Sequence, residues 1–152
     1  MRTRTAHVGL ALAVGLLLAG CGSAGRGEPK AAGVKPSGPA YGTLIGQWLD
    51  GQQDQLTSLQ ALLTDLKTGP HPRACITLQA LVEKMRQGKG FPVRADEADA
   101  YEGARAWRAG LRHYANAADH CAEGDEVLMN QQIREGRDQM STVTDIIMAH
   151  SE

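Results

Sequence analysis

The sequence predicts an all-α domain over residues 41–152, a small antiparallel bundle of about four helices closed by one disulfide. Three observations point there. From Tyr41 onward apolar residues recur every three or four positions, and no stretch alternates with period two over a useful length. The connections between these stretches are mostly short, which makes successive helices antiparallel neighbours. Two cysteines, Cys75 and Cys121, lie on the apolar faces of consecutive stretches, near the ends that antiparallel packing would bring together.

The first stretch carries Tyr41, Leu44, Ile45, Trp48 and Leu49, then Leu56, Leu59, Leu62, Leu63 and Leu66. Gly51 sits between its halves. A glycine inside a helix costs about 1 kcal/mol relative to alanine, so a kink or break is expected near Asp50–Gln53. Gly69-Pro70-His71-Pro72 ends this stretch, with Pro72 suited to the first turn of the next. The second stretch carries Ala74, Cys75, Leu78, Leu81, Val82 and Met85. Lys84, Arg86 and Lys89 gather at its end, where the helix dipole favours cations, and Gly88 and Gly90 stop it. Phe91-Pro92-Val93 reads as an extended connector.

The third stretch is the most regular: Ala100, Tyr101, Ala104, Trp107, Leu111, Tyr114, Ala118 and Cys121. Asp96, Glu97 and Asp99 are expected in its first turn, where acids are favoured. Glu123-Gly124-Asp125 breaks the pattern, and Asp125 is placed to cap the fourth stretch. That stretch carries Met129, Ile133, Gly136, Met140, Val143, Ile147 and His150. Spacing near 3.5 over the last two helices favours shallow, coiled-coil-like crossing.

Ahead of the domain, Met1–His7 holds two fixed positive charges, and Val8–Gly20 has no charged or strongly polar side chain. This is the layout of an export signal. As a helix the apolar run spans about 20 Å, short of a hydrocarbon core of about 30 Å. Its end, Leu18-Ala19-Gly20-Cys21, resembles the lipobox of bacterial lipoproteins at every position. The resemblance covers residues 1–21 alone. It implies removal of residues 1–20 and a diacylglyceryl group on the Cys21 sulfur, so that the membrane becomes a partner through Cys21. It also implies a location at the cell membrane, facing the extracytoplasmic side. Two or more acyl chains hold a protein stably where one is marginal. Residues 22–40, rich in Gly, Ala, Pro and Ser, read as a tether with a reach of about 25 Å.

Removing residues 1–20 takes away Arg2 and Arg4 and no acid, leaving 14 basic and 17 acidic groups. That balance argues against a nucleic-acid partner, which needs a basic surface to release counterions. Arg105, Arg108 and Arg112 come closest to a cluster, but Glu102 lies among them, and a solvated helix face accounts for them.

The exported compartment tolerates disulfides, so Cys75 and Cys121 are expected to pair. No C-x-x-C marks them as a redox couple. The sequence holds no Glu-x-x-His pair, haem-attachment motif, H-E-x-x-H, phosphate-cradling glycine loop or nucleophile elbow. Hence neither an enzyme nor a resident cofactor is expected. The weak candidates for a copper or zinc site are His113 and His120, on one helix face about 10 Å apart, with Met140, Met148 and His150. Trp48, Tyr101, Trp107 and Tyr114 are candidates for lining a cleft or filling the core. Two functional expectations follow. The first is a non-catalytic interaction or accessory module that contacts another envelope protein. The second is a module that binds a small ligand or a metal.

Overall fold

Helix signals along the chain resolve into four α-helices in the computed structural model, which describes residues 38–151. They are α1 (Tyr41–Asp65), α2 (Pro72–Gln87), α3 (Ala100–Glu123) and α4 (Glu126–Ala149), with a 3-10 turn, Leu66–Thr68, closing α1. The expected export signal, Cys21 and the tether as far as residue 37 lie outside the described residues. No helix among the described residues is long and apolar enough to cross a membrane.

The connections behave as their residues dictate. Pro72 occupies the start of α2, where its missing N–H costs nothing. Gly124 ends α3 at φ 78°, a left-handed conformation that glycine adopts without strain. Asp125 then caps α4, its carboxylate accepting from the Leu128 N–H at 3.0 Å. This two-residue turn folds α4 back along α3. The Cys75–Cys121 bridge, with Cα atoms 5.4 Å apart, ties the start of α2 to the end of α3 as antiparallel packing requires.

The α3–α4 seam is the tightest in the bundle, and glycines make it so. A methyl group at Gly110 would meet the end of Met140 at 2.7 Å, and one at Gly136 would meet the Tyr114 ring at 2.6 Å. Nothing lies within 4 Å of such a group at Gly51, which is exposed on α1. The two positions should therefore respond with opposite signs. Gly51→Ala is expected to stabilise by about 0.5–1 kcal/mol through helix propensity. Gly136→Ala gains the same propensity but overpacks a buried ring, and should destabilise by about 1–3 kcal/mol. Urea unfolding of the two variants checks both signs.

Three expectations need correction. First, α1 runs unbroken through Gly51. Its inner face is pinned there: Trp48 Nε1 and Gln52 Nε2 both donate to the Lys89 carbonyl, at 3.1 and 3.4 Å. Such tertiary anchoring outweighs a cost of about 1 kcal/mol. Second, Tyr101 is 55% exposed. The buried stripe runs Ala100, Ala104, Trp107, Leu111, Tyr114, Ala118, Cys121, and its phase leaves Tyr101 outside. Third, Asp96, Glu97 and Asp99 precede α3 rather than forming its first turn, and Asp96 instead pairs with Arg94 at 2.7 Å. The connector after α2 has neither helix nor strand, and it also contributes to the core. Phe91 is buried edge-on against Trp48 at 5.0 Å and lies over Gly103, where no larger residue fits.

Candidate functional site: a groove between the first and last helices

Three of the four helix seams bring backbones close together, and the fourth is wider, with its facing side chains Leu59, Leu63 and Val143 still only 4–5% exposed. α3 packs along α4, α2 along α3 and α1 along α2, whereas the backbones of α1 and α4 stand farther apart. Their near approach is confined to one end, where Gly42 lies against the His150 carbonyl. Two large rings hold α1 off the bundle floor: Trp48 on α1 meets Trp107 on α3 edge-on at 4.9 Å. The result is an open groove of about 540 Å³. Its α1 wall includes Leu56, Leu59 and Leu63; its α4 wall includes Met140, Val143 and Ile147. Trp107 and Tyr114 form the floor.

The groove is charged toward one end only, with the uncharged Gln60, Thr64 and Thr144 also on its lining. Because the start of α1 lies beside the end of α4, the far end of α1 faces the first half of α4. There Lys67 and Arg137 line the rim, and neither has an acidic partner among the described residues. From Leu49 to Lys67 the α1 edge extends about 27 Å at 1.5 Å per residue. A leucine-lined trough with aromatic rings beneath and two cations at one end suits an elongated apolar molecule with an anionic head. The aromatic expectation thus divides. Trp48, Trp107 and Tyr114 are at once core and groove, and Tyr101 takes no part.

The five weak metal candidates are not brought together. His113 Nδ1 lies 2.9 Å from Gln132 Oε1 and 3.1 Å from Glu135 on α4. His120 Nδ1 instead faces Glu123, 3.3 Å away. Met140 fills the notch over Gly110, and Met148 is 70% exposed. His150 Nε2 pairs with Asp99 at 2.9 Å and lies edge-on to Tyr41. Together with Glu97, this pair forms the only set among the described residues whose donor atoms, within 4.8 Å of one another, could hold a metal ion. The sequence reading singled out His150 but not its acids, which lie about fifty positions away. Within the fold the pair joins the end of α4 to the start of α3.

Two tyrosines carry shifted acidities. Burial, aided by Asp99 and Glu97, pushes the Tyr41 hydroxyl up to about 12. Burial also pushes Tyr114 up to about 12, against the opposing pull of Arg137. Both phenols therefore hold their protons more tightly folded than in an unfolded chain, where they titrate near 10. Stability should be unaffected by these groups below pH 10 and should fall between about pH 10 and 12, as the unfolded state loses protons first. Thermal unfolding across that range, followed beside tyrosinate absorbance, tests this. A melting temperature that stays level to pH 12 would contradict it.

The chain matches no protein family, no curated protein and no solved structure.

Proposed function

We propose that the protein is an exported lipoprotein, anchored through acylated Cys21, whose helical domain works by binding and not by catalysis. The α1–α4 groove is its receiving surface. Of the two sequence-level expectations, the groove favours the small-ligand one, with an acyl chain bearing an anionic head as the occupant. The lining carries this reading, an apolar trough with Lys67 and Arg137 on its rim, and the volume agrees with it. Small-molecule sites hold about 300–1,000 Å³, and the groove's 540 Å³ falls within that range. Even an eleven-residue helix, about 16 Å long and 10 Å across, fills about 1,250 Å³. A partner helix would therefore lie mostly outside the groove.

The anchor and the groove are tested separately. Mass spectrometry of the native protein should find Cys21 as the N-terminal residue, carrying diacylglycerol; an unmodified Cys21, or its removal, would sink the anchoring half. For the groove, the chain from residue 21 with Cys21→Ser is melted with a long-chain fatty acid and with the matching neutral alcohol. A ligand at one hundred times its Kd raises stability by about 2.7 kcal/mol. The acid should stabilise more than the alcohol, and Lys67→Glu with Arg137→Glu should abolish that preference. No stabilisation by either, with specific recovery of an envelope protein after crosslinking, would replace the small ligand by a protein partner.

A further inference from the structure

The three arginines that the sequence reading assigned to a solvated face acquire a fourth in the fold. Arg105, Arg108 and Arg112 project from α3 beside Arg86 on α2, and all four line one cavity of about 660 Å³. No acid lines it. Its floor rests on the core: Met85, Trp107 and Leu111 are each about 98–99% buried. Gly88 and Gly90 form another edge with no side chain in the way. The intervening Lys89 carbonyl is fixed by the donors of Trp48 and Gln52, at 3.1 and 3.4 Å.

The charge arrangement is unfavourable in isolation. Arg105 and Arg108 are three apart on one helix, and Arg108 and Arg112 four apart, spacings at which like charges repel. Arg105, Arg108 and Arg112 have no ion-pair partner among the described residues. Arg86 alone has one, Glu83 at 3.5 Å, and that carboxylate also accepts from Gln87 at 2.8 Å. The chain as a whole has a net charge of −1, so this concentration of cations is local.

We infer that this cavity between α2 and α3 is a binding site for a phosphate group, held by Arg86, Arg105, Arg108 and Arg112. Guanidinium groups present paired donors that match phosphate oxygens, and a cluster of them gains most from a group with more than one negative charge or several acceptors. The aliphatic stems of the arginines and Ala109 take the carbon portion next to the phosphate. Two sources supply this chemistry: a phospholipid headgroup, within reach of a membrane-anchored domain, or a soluble phosphorylated molecule. The site shares only Trp107 with the α1–α4 groove, and its test does not depend on what that groove binds.

The test uses the chain from residue 21 with Cys21→Ser, so that its own acyl chains do not drive membrane association. Pyrophosphate binding is measured by calorimetry. Flotation is measured with vesicles of phosphatidylcholine alone and with added phosphatidylglycerol. Arg108→Gln with Arg112→Gln should weaken the bound arm about a hundredfold, about tenfold per lost pair of contacts. The exposed α4 position Arg134→Gln is the control and should change little. Pyrophosphate binding with this pattern identifies a soluble source; flotation only with phosphatidylglycerol, lost in the double variant, identifies a headgroup. Circular dichroism confirms that the double variant is folded. If neither probe binds, or if Arg134→Gln weakens binding as much as the double variant, the inference is overturned.

Discussion

Replacing Cys75 and Cys121 together with alanine is expected to lower the unfolding free energy by about 2–4 kcal/mol. The two residues are 46 positions apart. In the chain-entropy account, closing a loop of that length removes about 4 kcal/mol from the unfolded state. A domain of this size has only about 5–15 kcal/mol of net stability, so the melting temperature should drop by about 10–20 °C. Alanine is the appropriate replacement because both sulfurs lie in the apolar interior, 2% and 4% exposed, where a serine hydroxyl would be buried. Calorimetry of the oxidised protein against the double variant measures the effect. A fall of under about 1 kcal/mol would mean that helix packing alone holds these ends together.

The second large effect is expected at Trp107. This side chain is 2% exposed, meets Trp48 edge-on and contributes to both cavities. Trp107→Ala removes the ring on which α1 rests and should cost about 3–5 kcal/mol, the range for deleting a large aromatic from a core. Trp107→Phe keeps a ring and should cost markedly less. The α1 helix should respond most, because Trp48 on α1 loses its partner ring. Hydrogen exchange would show this as a greater loss of protection in α1 than along the α3–α4 seam. Equal loss along all four helices would instead mean that the bundle opens as one unit.

How far residues alone disclose this fold depends on which physical signal each feature uses. Helix number, order and the Cys75–Cys121 pairing rest on periodicity and antiparallel turns, which are local, and all three appear in the structure. Phe91 was missed because it lies beside a proline in a segment with no period; its burial comes from the hollow over Gly103, a long-range fact. Tyr101 was misplaced because Ala100 and Tyr101 are both apolar, and only the phase of the later residues decides between them. The groove could not be read at all. Leu56, Leu59 and Leu63 form the same stripe whether a helix closes over them or stands off, and the spacing is set by Trp48 against Trp107 across the bundle. The arginine cavity needed Arg86 from α2, far from Arg105–Arg112 in sequence. For the His/Met set, residue type was visible but direction was not. His113 met Glu135 across the α3–α4 seam and His120 met Glu123 one turn on, instead of one another.

The covalent cross-link and the chain's approach to the domain lie at opposite ends of the bundle. Cys75 and Cys121 join α2 to α3 at the end where α1 finishes, and Pro39 leads into α1 at the other, bonded through its carbonyl to Arg94 at 2.6 Å. Force applied through the N-terminus therefore reaches α1 before any cross-linked element. With no cross-link to hold it, α1 is the segment that would peel away under load, while α2, α3 and α4 stay together as a stapled remainder. Tension through the proposed anchor would thus spread the groove walls apart, so that pulling and release of the proposed ligand would become one mechanical event.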